Sequence, residues 1–167
     1  DNLSSSVYIS SLTKTALVNT IYPNMIVNND FFRWGIFPSF WDKLIKREII
    51  APYVLDVDER IRMGSDAACL YPCLLHVDSI YILRKNLYHY RQHSSSLVRT
   101  RKNVPSRIDE RERFSILYHS VYEKLEADRR IYDLTGQWKY YCLFLMVPRA
   151  DVLYRGMENL DYLFPFS

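Results

Sequence analysis

"GSDAACLYPCLLHVDSIYILR", residues 64–84, decides the fold, because it passes from a turn through a helix into a strand within twenty-one residues. Gly64 loosens the turn, and a helix starts at Ser65 in which Asp66, Leu70, Cys73 and Val77 are spaced to share one face. Pro72 falls inside that helix, where it removes a hydrogen bond and bends the axis. "SIYILR" then alternates as a strand does. A helix handing over to a strand, with helical patterns after it, predicts an α+β chain that is mostly helical.

Upstream, "FPSFWDKLIKREII" at 37–50 predicts a helix capped by Ser39, with Phe40, Trp41, Leu44, Ile45 and Ile49 at helical spacing and Pro52 ending it. Residues 1–35 mix Ser, Thr and Asn with Val, Ile and Tyr without helical period and read as short strands and loops. Downstream, "IDERERFSILYHSVYEKLEADRR" at 108–130 places Phe114, Leu117, Tyr118, Val121 and Leu125 on one amphipathic face. Gly136 should separate it from a second helix carrying Trp138, Tyr141, Cys142 and Leu145, and a third short helix with Tyr154, Met157 and Leu160 is expected after Pro148. The chain divides into 1–106 and a helical cap, 107–167.

A chain of 167 residues makes one domain or part of one, and 49% hydrophobic with 25% charged residues excludes a disordered chain. A net charge of +3 is too small to argue for nucleic acid, and the charge is uneven in one place only. Between Arg84 and Arg107 there are seven Lys or Arg and no Asp or Glu. No apolar run approaches the roughly 20 residues of a membrane span. "DNLSSSVYIS" has none of the regions of a signal peptide, so a cytoplasmic location is expected. Cys69, Cys73 and Cys142 are too few and odd in number for a disulfide framework, so reduced thiols are expected.

Few motifs carry chemistry. "DVD" at Asp56–Asp58 offers two carboxylates to a hard cation, yet a solvated acidic loop between helices explains it as well. Cys69, Cys73 and His76 lie at helical spacing but lack a fourth ligand, and buried thiols suit an apolar helix. No Gly-flanked serine marks a nucleophile elbow, and four glycines in the whole chain leave no phosphate loop. Asp66 stands apart, at a helix start, as either a charge complementing the helix dipole or a catalytic base.

The order of segments is more specific than any one of them. "FWDKLIKREII", then "DVDERIRMGSDAACLYPCLL", then "SIYILRKNLYHYRQHSSSLVR" resembles the second half of the family 2 glycosyltransferases, especially bacterial enzymes extending surface glycans. That family has a Trp before a Lys-Leu helix, an "FDE" segment leading into "GED", and a strand ending in "LYYYRxHxxS". Here Trp41, Lys43 and Leu44 match the first, Val57, Asp58, Glu59, Gly64, Ser65 and Asp66 the second, and Leu87, Tyr88, Tyr90, Arg91, His93 and Ser96 the third. The likeness covers about residues 36–100. Ser65 replaces the usual Glu, which keeps a helix cap but removes a carboxylate. The family's nucleotide-binding half, with its metal-binding DxD, has no counterpart here, so the resemblance implies the acceptor-side part of the transferase fold. Asp58 then belongs to "FDE" and not to the metal motif.

The resemblance implies an inverting transfer of a sugar from a nucleotide-diphosphate sugar to a glycan or lipid-linked glycan acceptor. Asp66 would take the proton from the attacking hydroxyl, a contribution of about 10² to 10⁴ in rate. Trp41, Lys43, Ser65, Arg91, His93 and Ser96 are the expected substrate-binding residues, and His93 the one candidate metal ligand. The Mg or Mn ion of the parent enzyme would be held mainly outside this chain. The isolated chain is expected to be inactive, to expose apolar surface and to hide it by self-association; peripheral contact at the inner face of the membrane is a separate expectation of the resemblance. The alternative from another class is a non-catalytic protein-interaction domain with a basic, anion-binding tract; nucleic acid is not an expected partner.

Overall fold

The computed structural model describes residues 9–28, 33–83, 87–89 and 107–146. They form a mostly helical α+β arrangement with one small antiparallel sheet. Strand β1 (Ile9–Thr13) runs into α1 (Lys14–Ala16), a π turn (Leu17–Ile21) and a 3₁₀ turn (Tyr22–Asn24). After a closed loop come α2 (Arg47–Leu55), α3 (Ser65–Leu75) and β2 (Ser79–Leu83). Two helices follow, α4 (Arg107–Ala127) and α5 (Thr135–Met146). β1 pairs with β2 in the register Ile9 to Leu83, Ser11 to Tyr81 and Thr13 to Ser79.

Helix α3 is the axis of the molecule. Every residue from Ala67 to Leu75 is buried, so the helix is enclosed on all sides and has no single apolar stripe. Around it pack Leu17, Tyr22, Met25 and Ile26 from the first turns, Leu117, Val121 and Leu125 from α4, and Trp138, Tyr141 and Cys142 from α5. One core therefore joins residues on both sides of position 106. Each such side chain contributes about 1.5–3 kcal/mol by leaving water. Gly64 precedes α3 at φ 86, and an added Cβ there would lie 2.7 Å from Leu117 Cδ2, so chain direction and helix packing both demand glycine.

The far end of α3 is closed by a lysine. Lys14 Nζ donates to the carbonyls of Leu75 and Val77, the latter at 3.1 Å, and to Tyr22 Oη at 3.2 Å. The Tyr22 hydroxyl donates in turn to the Leu74 carbonyl at 2.8 Å. A cation on the last carbonyls satisfies acceptors the helix leaves open and opposes its dipole.

Four expectations are corrected. Residues 14–24 are helical turns, where strands and loops were expected, because Lys14 and Tyr22 are drawn onto the end of α3. The helix expected from Ser39 begins only at Arg47: the Ser39 hydroxyl donates to Asp42 Oδ1 at 3.3 Å, and the Lys43 N–H closes a turn onto the Phe40 carbonyl at 3.0 Å. Pro52 lies inside α2 and does not end it; it is exposed, where water can satisfy the carbonyl one turn back. Gly136 sits in the first turn of α5, which Asp133 starts by accepting from the Thr135 N–H at 3.0 Å and hydroxyl at 2.6 Å. The helix expected after Pro148 lies outside the described residues.

Candidate functional site

Asp66 occupies the first turn of α3, half-buried. Its carboxylate does not cap its own helix. The residue before α3 is Gly64, with no side-chain cap, and Ser65 is the first helical residue, so the expected cap at Ser65 is absent. Asp66 Oδ2 instead accepts from the backbone N–H of Phe40, 26 residues earlier, at 3.3 Å. The charge of Asp66 reaches the core as well. Burial first, and Asp66 second, push the Cys69 thiol up to about 11; burial and, more weakly, Cys142 and Asp66 push up the Tyr141 hydroxyl.

The Phe40 turn that Asp66 holds carries Trp41 and Lys43. Trp41 is not at a helix start, as the sequence suggested, but on the exposed corner of this turn. Its ring stacks on Tyr88 with centroids 4.8 Å apart and 30° between planes, and meets Phe37 edge-on at 6.1 Å. Lys43 turns back: its Nζ donates to the Ser39 carbonyl at 2.8 Å and pairs with Asp42 at 2.6 Å. It therefore braces the turn. The structure thus brings Trp41, Lys43, Ser65 and Asp66 to one end of α3, while Arg91, His93 and Ser96 lie outside the described residues. Phe37 and the Tyr88 stack were not singled out from the sequence, although Phe37 and Trp41 stand four residues apart in "FPSFW".

The acidic loop takes no part in this corner. Asp58 is wrapped by Arg60 through backbone N–H at 2.9 Å, Nε at 3.0 Å and Nη2 at 2.7 Å, which holds its carboxyl down to about 2. Asp56 pairs with Lys124 of α4 at 2.7 Å. Cys69, Cys73 and His76 form no ligand set: both thiols are buried and free, and His76 is exposed and bonded to Asp128 at 2.7 Å. Among the described residues no group of three His, Cys, Asp or Glu side chains can hold a metal ion. No described helix is long and apolar enough to cross a membrane.

Comparison with known proteins finds no matching protein family, no matching curated protein and no matching solved structure.

Proposed function

We propose that this chain is the acceptor-side part of an inverting glycosyltransferase, in which Asp66 is the general base. The observation supporting it is the placement of a half-buried carboxylate at a helix N-terminus against an exposed aromatic turn, tied to that turn by one hydrogen bond. The acceptor hydroxyl gives its proton to Asp66 as its oxygen bonds to the anomeric carbon of a nucleotide-diphosphate sugar. The bond to the diphosphate breaks on the opposite side, its electron pair leaves with the phosphate, and the configuration inverts. Arg91 and His93 are the donors for the leaving group and Ser96 a further substrate-binding residue, while Mg or Mn, held mainly by parts of the parent protein outside this chain, would supply charge neutralisation there. The reaction is cytoplasmic, with a glycan or lipid-linked glycan as acceptor; a lipid-linked one would bring the protein to the inner membrane face.

Asp66→Asn in the full-length parent tests this. Asparagine still accepts from the Phe40 N–H but cannot take the proton, so transfer should fall by about 10² or more with donor affinity unchanged. Near-normal transfer refutes the base.

A second reading rests on β2, where Tyr81, Ile82 and Leu83 are 68%, 39% and 40% exposed. An apolar strand open on both faces suits a non-catalytic interaction domain that pairs with a partner or a second copy. The double variant Tyr81→Arg, Ile82→Glu should then abolish association in sedimentation runs, and the full-length parent should transfer no sugar with or without it; sugar transfer retained by the double variant in the parent supports the transferase reading instead.

A further inference from the structure

We infer that β2 pairs with itself: two copies of the chain join their β2 strands antiparallel about a twofold axis at Tyr81 and so form one continuous sheet in the order β1, β2, β2, β1. This rests on the second reading in taking β2 as an interface, and it commits that interface to a second copy. One edge of β2 is bonded to β1, and among the described residues no backbone group bonds to the other edge. Edge strands are ordinarily guarded by charge, proline or a bulge. Ser79–Leu83 has no charged residue and no proline, and its register with β1 runs through without a bulge. The side chains of Tyr81, Ile82 and Leu83 are exposed as well.

The order of residues along the strand selects the occupant. In an antiparallel pair centred on Tyr81, residues equally far from it in opposite directions stand opposite each other on one face of the sheet. Ile80 packs on the core, and Ile82 shares its face but is left open. The pairing lays Ile80 beside the partner's Ile82 and closes that flank. On the other face the two Tyr81 rings meet across the axis, and Ser79 stands against the partner's Leu83. One position further out, Asp78 comes opposite the partner's Arg84, which directly follows the strand in sequence and lies outside the described residues. Opposite charges thus close both ends of the pair. A register slipped by two positions sets Asp78 against Ile82 or Arg84 against Ile80, so the charges specify the centre. β1 has no such self-match: centred on Ser11, it would set Ser10 against Leu12 and Ile9 against Thr13. A foreign strand would have to reproduce the order that a second copy already carries. Five residues make a small interface, so the dimer is weak and depends on concentration.

Sedimentation velocity of the whole chain over a concentration series should show a reversible equilibrium of monomer and dimer. Engineered cysteines read the register, since the native thiols are buried. Ser79→Cys mixed with Leu83→Cys should cross-link through a short bismaleimide, and neither variant alone should, because each cysteine then faces the residue type it replaced in the other. Asp78→Arg and Arg84→Asp should each weaken the dimer by about tenfold or more, since each sets like charges opposite, and an equimolar mixture of the two should regain it. Far-ultraviolet circular dichroism checks that each variant is folded; if Asp78→Arg is not, the cysteine pair decides alone. A chain that stays monomeric throughout the series, a cross-link no stronger in the mixture than in either variant alone, or folded charge variants that mixing does not rescue each overturns the pairing. The two readings fail separately. Association that Tyr81→Arg with Ile82→Glu abolishes, but without the cross-link from 79 to 83, removes this pairing and keeps β2 as an interface; the cross-link together with sugar transfer by the parent keeps the pairing and removes the non-catalytic reading.

Discussion

Asp66 Oδ2 lies 3.3 Å from the backbone nitrogen of Phe40, and this bond makes the orientation of the Trp41 turn depend on a carboxylate at the start of α3. Asp66→Ala removes the acceptor, and Asp66→Asn keeps one. Alanine should therefore cost about 1 kcal/mol and loosen the turn, while asparagine leaves it in place. Trp41 reports the difference, since Trp138 is fully buried and Trp34 half-buried. Acrylamide quenching of tryptophan emission should rise in the alanine variant only. Equal quenching in wild type and alanine variant would show that the bond does not hold the turn.

Gly64 and Leu117 form a second such dependence. At φ 86 any side chain is strained, and the added Cβ of alanine falls 2.7 Å from Leu117 Cδ2. Gly64→Ala should cost about 1–3 kcal/mol, the usual range for a residue held in such a conformation. In a Leu117→Ala background the 2.7 Å contact is gone and only the backbone strain and a 3.4 Å approach to Leu145 Cδ1 are left, so the same substitution should cost visibly less. Urea midpoints of the four proteins of this cycle give the coupling; additive losses would mean that Leu117 moves aside freely.

What was legible in the sequence follows from how local each interaction is. The start of α3 after Gly64, the strand at Ser79–Leu83 and the buried face of α4 rest on neighbours within one or two turns, and periodicity finds them. The stretch from Ser39 to Lys46 has helical spacing, yet its backbone is claimed by Asp66, a residue 26 positions away, and by the Ser39, Asp42 and Lys43 side chains. Pattern alone cannot weigh such a competitor. The same holds for 14–24, whose helical turns are fixed by the end of α3, with Lys14 reaching Val77 across 63 positions. Of the candidate site, the residue types were readable and the Asp66–Phe40 contact and the Phe37–Trp41–Tyr88 stack were not, since both join separate segments.

Gln137 shows how much one such long-range contact carries. Its Oε1 accepts from the N–H groups of Ile26 at 2.8 Å and Val27 at 3.3 Å, and its Nε2 donates to the carbonyls of Tyr22 at 2.7 Å and Pro23 at 3.1 Å. Gln137→Leu strands partly buried donors and acceptors and should cost about 2 to 4 kcal/mol in urea unfolding. Gln137→Glu keeps the acceptor but turns a carboxylate toward two carbonyls. Its deficit should shrink as the pH falls below about 4, where the side chain regains a proton to donate. A glutamate variant as stable as wild type at neutral pH would contradict the assigned bonding.

Alkaline pH tests the enclosure of α3 as a whole. Burial pushes the thiols of Cys69 and Cys73 up to about 11 from 9.0, and the hydroxyls of Tyr22 and Tyr118 up to about 12 from 10.0. Tyr71, Tyr141 and Cys142 are raised by the same cause. Between their unfolded and folded values these groups hold protons in the native state that the unfolded chain releases. Stability is therefore fully present below about pH 9 and is lost as the pH rises toward 12. Lys14 works in the opposite direction, because burial lowers its value and folding there sheds a proton, but it is one group against eight, with Tyr53 also raised to about 12. Tyrosinate absorbance and near-ultraviolet circular dichroism should therefore show a shared cooperative step above pH 9, with the buried tyrosines ionising only as packing is lost. If all fourteen tyrosines titrate smoothly near pH 10 while the dichroism is unchanged, α3 is not enclosed as described.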